Sequence, residues 1–305
     1  MPQNTVQQLL RAAFKRIDQL DAEVLLAHVL QRSREHLSAH SDRGVPAPRA
    51  KRFRHLVRRR EEYAPLAYLV GHKEFFGLDF IVNKDVLVPR PETEMIVEQV
   101  LEEMGKGKWE KGNVFLVDVG TGSGCIPIAI MKNIQTFKHL NIQTFATDNS
   151  RRALRVAKRN AARHGVDITF LKGDLLQPLF KTLQLYNPAF GRDPAYGGGS
   201  TTLQLIITAN LPYLTEEQYA SEPSIQFEPK SALVAKNNGI TLYQQLLQQI
   251  KLLITNYPLL ITCFFEIDPS QSKRLHTLIQ DYLSEAKVKI KTDLAGRERV
   301  VVIKL

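Results

Sequence analysis

The feature that most constrains the fold is a glycine-rich turn between a short apolar run and a predicted helix. Residues 113–118 suit a buried parallel strand, and residues 125–131 suit a helix that opens directly after the turn. Glycine lets the backbone turn sharply and leaves no side chain between the main chain and a ligand. The spacing is Gly-x-Gly-x-Gly, whereas dinucleotide binders favour Gly-x-Gly-x-x-Gly, so phosphate is not the expected ligand. The segment reads Asp118-Val119-Gly120-Thr121-Gly122-Ser123-Gly124.

Carboxylates also follow the next two predicted strands. Asp148 ends the run 143–147, and Asp174 follows the run 168–173. Because the carboxyl ends of parallel strands meet at one edge of a sheet, we expect Asp118, Asp148 and Asp174 to share one crevice. Asp148 can accept both hydroxyls of a ribose, and Asp174 can accept from an adenine amino group. S-adenosylmethionine carries these groups, a cationic sulfonium and no phosphate, and it is the predicted cofactor. The alternative is that these residues are ordinary features of turns.

A second motif, Asn210-Leu211-Pro212-Tyr213, follows a later strand-like run and suits a planar nitrogen. An amide nitrogen is a poor nucleophile because its lone pair is delocalised into the carbonyl, and its hydrogens need acceptors. The Asn210 side-chain oxygen and the Leu211 carbonyl can each accept one hydrogen, while Pro212 fixes the backbone and Tyr213 offers a flat face. An adenine amino group would fit these acceptors equally well. The predicted catalytic residues are Asn210, Pro212 and Tyr213, and the predicted cofactor-binding residues are Asp118, Gly120, Thr121, Gly122, Ser123, Gly124, Asp148, Asp174 and Asn210.

A family resemblance is carried by several blocks spread through most of the chain. They are Asp21–Leu30, Pro65–Gly71, Glu74–Leu78, Val86–Glu94, the glycine turn, Ala153–Gly165 and Asp293–Arg299. In these blocks and in their order the chain resembles the release factor glutamine N(5)-methyltransferases of the PrmC/HemK family. The resemblance implies an enzyme that moves a methyl group from S-adenosylmethionine to the glutamine amide in the Gly-Gly-Gln motif of class I peptide chain release factors, its protein partners.

The same resemblance places the segment Val88–Glu94 beside the cofactor and the substrate. Two prolines around an arginine make a stiff, extended entry, and the acidic residues that follow suit the start of a helix. A domain hinge with a good helix start is the alternative interpretation. The predicted substrate-binding residues are Asn210, Leu211, Pro212, Tyr213, Arg90 and Glu92.

Two features depart from the family pattern. The family tetrapeptide usually reads Asn-Pro-Pro-Tyr, and Leu211 replaces its first proline. The variant is similar to the motif of ribosomal RNA adenine dimethylases, so an adenine N(6)-methyltransferase acting on RNA or DNA is an alternative function. Residues 186–202 are rich in glycine and proline and read as an insertion, with a tolerated surface loop favoured over a gating role.

The predicted architecture has three parts. Residues 1–73 form a helical substrate-recognition domain, residues 74–90 form a β-hairpin linker around Asn83-Lys84-Asp85, and residues 91–305 form the methyltransferase domain. Alternating helices and strands in the third part predict an α/β, doubly wound, mostly parallel sheet with an antiparallel edge, which is a Rossmann-like class I methyltransferase fold. The predicted elements span 93–104, 113–118, 124–134, 143–148, 150–164, 168–172, 203–209, 240–254, 260–266, 269–285, 287–293 and 298–304.

The net charge of +10 is unevenly distributed, because residues 43–60 carry basic side chains and no acidic one. This cluster fits an acidic partner or nucleic acid, or it is a solvated helix face. Nucleic acid is the less favoured partner, since the family's substrate is a protein. A second alternative function is that of a non-catalytic interaction protein with a structural cofactor, which the amide acceptors of the tetrapeptide argue against.

Composition excludes several other classes. The two cysteines, Cys125 and Cys263, lie within apolar runs, so neither a disulfide framework nor a thiolate metal site is expected. The eight histidines lack ligand spacing, and no metal is predicted. No apolar run approaches the roughly 18 residues that cross a bilayer, and a cytoplasmic location is the expectation.

Overall fold

The computed structural model describes residues 4–106, 113–134, 141–186, 203–237, 239–257 and 259–305. The chain forms two compact units, residues 1–72 with 220–227 and residues 73–219 with 228–305. The inclusion of 220–227 in the first unit is not anticipated by the sequence division at 73 and 90. That division and the recognition role of its first part stay predictions. The predicted insertion lies outside the described residues from residue 187 onward.

The first unit is a small helical bundle. Thr5 begins the first helix with a capping box, and the Asp18 carboxylate caps the second through two backbone amides. Apolar side chains at helical spacing then meet in a core around the fully buried Leu25, Leu26 and Phe53. The helices are α1 Val6–Ala13, α2 Gln19–Leu30, α3 Arg34–Ala39, α4 Ala47–Glu61 and α5 Leu66–Val70.

A two-stranded sheet follows, with β1 at His72–Phe75 and β2 at Leu78–Ile81. The predicted hairpin therefore exists, but its predicted turn at residues 83–85 is wrong. The strands reverse at Phe76 and Gly77, whose φ angles are 51° and 71°. Two consecutive residues with positive φ are what a tight hairpin turn requires, since its twist then matches that of the strands. Residues 83–86 form a separate turn, in which Val86 N donates to Asn83 O.

The second unit is built on a sheet whose order among the described residues is β5-β4-β3-β6-β7-β9-β8. Strands β3 to β7 run parallel, and β9 pairs antiparallel with both of its neighbours. Asp118 in β3 lies in register with Ala146 in β4 and Thr208 in β6. The strands are β3 Asn113–Val119, β4 Asn141–Asp148, β5 Thr169–Lys172, β6 Leu203–Ala209, β7 Leu259–Glu266, β8 Lys287–Thr292 and β9 Glu298–Lys304.

Helices cover both faces of this sheet, which confirms the predicted doubly wound class. Phe115 and Val117 of β3 belong to one apolar core, whereas Val114 and Leu116 belong to the other, as expected from the alternation of side chains along a strand. Helix α9 has no counterpart among the predicted elements. The helices are α6 Glu94–Gly105, α7 Cys125–Asn133, α8 Arg151–His164, α9 Gln177–Tyr186, α10 Glu216–Ser221, α11 Thr241–Asn256 and α12 Ser272–Tyr282.

Three observations concern membrane-spanning helices, metal sites and the two cysteines. In the part of the chain that the structure describes, no helix has the length and apolarity needed to span a membrane. Across the same residues, no three or more His, Cys, Asp or Glu side chains are placed to hold a metal ion. Cys125 and Cys263 are buried free thiols, and burial raises the pKa of Cys125 to about 12. Both therefore act as small apolar core residues.

Candidate active site

The glycine turn joins β3 to α7 through three left-handed glycines. The φ angles of Gly120, Gly122 and Gly124 are 73°, 54° and 80°. Side chains rarely adopt this backbone conformation, so the turn needs glycine for its shape. A Cβ atom at Gly124 would lie 3.1 Å from Ile128 Cδ1 and 3.2 Å from Ala157 Cβ. The third glycine therefore also permits close packing of α7 against α8.

The end of β4 holds this turn in place. The amides of Gly120 and Thr121 both donate to Thr147 O at 2.9 Å. Gly122 N donates to Asp148 Oδ2 at 2.9 Å, and Ser150 N donates to Asp148 Oδ1 at 2.7 Å. Burial raises the pKa of Asp148, and these two amide donors act in the opposite direction. Asp148 is thus fixed by the backbone, with lone pairs left for a further donor.

A cleft opens beside the turn, and we call it the strand-end cleft. Its empty volume is about 790 Å³ with the open mouth included. At its wall Leu175 is buried although its φ is 46°, an uncommon backbone conformation for a leucine. The predicted site residues that line the cleft are Gly120, Gly122, Asp148, Asp174, Asn210, Leu211 and Pro212. The predicted site residues that do not line it are Asp118, Thr121, Ser123, Gly124, Tyr213, Arg90 and Glu92.

Asp118 lies beneath the cleft rather than in its wall. Its side chain is fully buried, and Thr208 Oγ1 donates to its Oδ1 at 2.7 Å. The other oxygen, Oδ2, and the hydroxyls of Thr121 and Thr147 have no well-formed hydrogen bond among the described residues, although the Thr121 hydroxyl lies close enough to Asp118 to lower its pKa. Burial raises the pKa of Asp118 to about 7. Unpaired buried oxygens of this kind mark a place where a polar or cationic ligand stabilises the protein.

These residues fit S-adenosylmethionine. Its cationic groups would favour ionised carboxylates at Asp118 and Asp148, whose pKa values burial raises. Asp148 and the exposed Asp174 supply acceptors in the cleft for hydroxyl and amino groups. At Gly120 a Cβ atom would lie 3.0 Å from Leu211 Cδ2, so only glycine leaves the present space between the turn and the tetrapeptide.

Asn210 is oriented by a residue that the sequence analysis missed. Its Nδ2 donates to Thr93 Oγ1 at 2.9 Å, and the Thr93 hydroxyl lies close enough to Glu266 to lower the pKa of that carboxyl. Because Nδ2 is engaged, Oδ1 is the Asn210 atom left to accept from a ligand in the cleft. Glu266 ends β7 and is almost completely buried, and burial raises its pKa to about 7. The three residues form one polar chain from the sheet to the cleft.

Side chains from later in the sequence hold the rest of the tetrapeptide through hydrogen bonds. Leu211 is buried, and its N donates to the Tyr243 hydroxyl at 3.4 Å; that hydroxyl donates to Glu266 O. The Tyr213 carbonyl accepts from Gln271 Nε2 at 3.1 Å. Burial, with Glu266 and Asp268 nearby, raises the pKa of the Tyr213 phenol, which therefore stays neutral. The Leu211 amide that a proline would lack thus has a partner.

Arg90 and Glu92 lie near the loop but outside the cleft wall. The Arg90 guanidinium pairs with Glu228, whose Oε2 also accepts from Val88 N at 2.9 Å. Glu228 is buried, so this pair fixes the segment before α6. Glu92 is exposed. Its negative charge, like the burial of Glu266, raises the pKa of the Glu266 carboxyl.

Thr93, Glu228, Tyr243 and Glu266 are the site residues that sequence reasoning missed. A signal for Glu266 was present, since it is an acidic residue at the end of a predicted strand, as Asp148 is. Thr93 lies inside the segment that the resemblance already placed at the site. Glu228 and Tyr243 carry no local signal, because each acts on a residue distant in sequence.

Comparisons with known proteins match both parts of the chain. The PrmC N-terminal domain matches residues 3–71, and the methyltransferase small domain matches residues 93–215. The release factor glutamine methyltransferase of Nitratidesulfovibrio vulgaris is 33% identical, covering 97% of this chain and 94% of its own. The release factor glutamine methyltransferase of Bacillus subtilis is 32% identical, and the match covers 92% of this chain and 89% of that protein. The N-terminal domain of human METTL16 in complex with SAH is 14% identical with a TM-score of 0.46, covering 92% of this chain and 93% of that chain.

The sheet topology, the glycine turn and the matched methyltransferase domain define an S-adenosylmethionine-dependent methyltransferase of the class I fold. At 33% identity over nearly its whole length, the chain belongs to the release factor glutamine methyltransferase family. The predicted fold, enzyme class, cofactor and family are thereby confirmed. The roles of individual site residues stay predictions.

Proposed function

We propose that this enzyme methylates the side-chain amide nitrogen of the glutamine in the Gly-Gly-Gln motif of class I peptide chain release factors. The observation that carries the proposal is the meeting of two loops in one cleft. Gly120, Gly122 and Asp148 supply one wall, and Asn210 with Leu211 supplies another. A cofactor held by the first wall and an amide held by the second would lie side by side.

The residues of the second wall suit an amide. When bound, S-adenosylmethionine supplies an electrophilic methyl group on a sulfonium. The Asn210 Oδ1 would accept one hydrogen of the glutamine amide and the Leu211 carbonyl the other, which orients the nitrogen lone pair. The partly buried Tyr213 would present a neutral ring to the planar amide, because burial raises its phenol pKa.

No strong base is needed in this arrangement. The amide proton becomes acidic only as the new carbon–nitrogen bond forms and the carbon–sulfur bond breaks, and it then leaves to water. Asn210 holds that hydrogen until release rather than removing it, so its role is to position the nitrogen. Arg90 is proposed to shape the substrate entrance through its pair with Glu228. Location in the cytoplasm stays a prediction.

The test is methyl transfer in a purified system. The chain is incubated with S-adenosylmethionine and a purified class I release factor, and peptides of the factor are analysed by mass spectrometry. We expect the mass of one methyl group on the glutamine of the Gly-Gly-Gln motif, and none on a factor in which that glutamine is asparagine. Transfer to ribosomal RNA adenine with an unmodified release factor would overturn the proposal and favour the adenine alternative.

A further inference from the structure

A second cavity lies wholly within the first unit, and its lining is strongly cationic. Its empty volume is about 600 Å³, and its charged or titratable lining residues are Arg32, His36, His40, Arg43 and Arg49. None of the described residues that line it is acidic, and Asp42, the sequence neighbour of Arg43, is not part of the lining. We call it the arginine–histidine pocket. A concave surface with three guanidinium groups and no acidic residue is a recognisable anion site.

The two histidines form one side of this pocket. Their rings stack with centroids 4.1 Å apart, and His40 Nδ1 donates to His36 O at 3.0 Å. Since Nδ1 of His40 is engaged, its Nε2 is the nitrogen left to meet a ligand. Desolvation and the positive charges on His40, Arg32 and Arg43 lower the pKa of His36. Positive potential therefore accumulates here, and a bound anion would reverse its effect on His36.

The arginines of the pocket differ from others in the same unit. Arg16, Arg34 and Arg60 pair with Glu61, Glu23 and Asp21. Among the described residues, the pocket arginines have no carboxylate partner within ion-pair distance. Two of their guanidinium groups contact backbone carbonyls instead. Arg49 Nη1 donates to Leu30 O at 3.0 Å, and Arg32 Nη1 makes a 3.5 Å contact with Gln31 O. Charges left unneutralised around a cavity favour an external anion over an internal partner.

The backbone adds to the same field. Pro46 and Arg49 of the lining lie at the start of α4, a helix of fifteen residues without a side-chain cap or an acidic residue in its first turn. The amides and dipole at a helix start favour negative charge, and no acidic residue in the first turn of α4 supplies it.

We propose that the arginine–histidine pocket binds a phosphate group, either in a free phosphate compound or in the phosphodiester backbone of RNA. Several guanidinium groups suit the three terminal oxygens of a phosphate monoester better than the two of a single carboxylate, and an RNA backbone presents one anionic phosphodiester after another. The exposed arginines of α4 that continue from Arg49 would then track a polyanion beyond the pocket. The site is additional to the proposed methyl transfer, and its test does not depend on that activity.

The test uses the full chain with labelled histidines, titrated by NMR with pyrophosphate and separately with a short single-stranded RNA. We expect both ligands to shift the His36 and His40 signals and to raise the pKa of His36. The double variant Arg32→Gln/Arg43→Gln should weaken binding at least about tenfold. These side chains make little internal contact, so the variant is expected to fold, which its thermal unfolding would verify.

The matched control is Arg54→Gln/Arg58→Gln, which removes the same charge from exposed positions of α4 outside the pocket. Pyrophosphate is too small to reach these positions from the pocket, so its binding should fall by less than about threefold there. If RNA binds more tightly than pyrophosphate and with a steep salt dependence, the ligand is the phosphodiester backbone of RNA. If pyrophosphate binds more tightly, the ligand is a free phosphate compound. Either result supports the site. Equal losses of pyrophosphate binding in the two variants, or a poly-glutamate peptide that binds as tightly as either phosphate ligand, would overturn it.

Discussion

Two loops meet in the strand-end cleft, and they are held by different means. The glycine turn after β3 obtains its shape from its own backbone, with positive φ at Gly120, Gly122 and Gly124. The Asn210 loop after β6 obtains its shape from side chains that come from elsewhere in the sequence, Thr93 and Tyr243 among them. The shape of the first loop thus comes from its own glycines, with β4 holding it in place, whereas the shape of the second comes from side chains distant in sequence.

The difference predicts different responses to substitution. A change within the glycine turn should act mainly on stability and on the cofactor, because the backbone itself is strained or displaced. A change around the Asn210 loop should act mainly on the rate of transfer, because orientation of one amide is lost while the fold persists. The substitutions below separate these effects.

The largest expected effect is that of Asn210→Ala on transfer. The variant loses the oxygen proposed to accept from the reacting nitrogen, and we expect kcat to fall by about 100-fold to 1,000-fold. Cofactor affinity, measured by calorimetry, should stay within about threefold, since the glycine turn and Asp148 remain. Loss of cofactor binding in this variant would show that Asn210 belongs to the cofactor wall instead.

Glu266→Gln tests the buried carboxylate that anchors the second loop. Burial raises the pKa of Glu266 from 4.5 to about 7, so the folded state binds its proton more tightly than the unfolded state does. The stability that this proton provides is present below about pH 4.5 and is lost as the pH rises through 7. For one such group the loss is roughly 3 kcal/mol.

Urea unfolding of the cofactor-free protein between pH 4 and pH 8 measures this loss. The wild-type free energy of unfolding should decline with pH more steeply than that of Glu266→Gln. Asp118, whose pKa is also raised to about 7 by burial, leaves a residual decline in the variant. The control is Glu222→Gln, at a carboxylate whose pKa hydrogen bonds from Ser224 lower. Identical slopes for wild type and Glu266→Gln would refute the assignment.

Gly124→Ala tests the first loop. The new methyl group would face Ile128 and Ala157 at 3.1 and 3.2 Å, and φ of 80° is unfavourable for alanine. We expect the free energy of unfolding to fall by about 2 kcal/mol and cofactor binding to weaken. Gly165→Ala is the control, because φ there is 63° but no atom lies within 4 Å. A cost no larger than that of the control would mean that crowding contributes nothing.

The same contrast explains how much could be predicted from the sequence. Strands with continuous apolar runs, and the turn between β3 and α7, depend on residues next to one another and were predicted. The predicted position of the hairpin turn is wrong. Asn83-Lys84-Asp85 contains residues that are typical of turns, whereas Phe76, which lies in the observed turn, is not such a residue. The bond from Asn210 to Thr93 joins residues 117 positions apart, and nothing local to either residue indicates it.

Thr93→Val is the smallest and most specific of these tests. Valine keeps the shape of threonine but cannot accept a hydrogen bond from Asn210 Nδ2. One lost hydrogen bond leaves Asn210 free to rotate, and we expect kcat to fall about tenfold with cofactor affinity unchanged. Thr93→Ser keeps the hydroxyl and should retain most of the rate. If valine and serine reduce kcat equally, packing at residue 93 matters rather than the hydrogen bond, and the second loop does not depend on this distant side chain for its orientation.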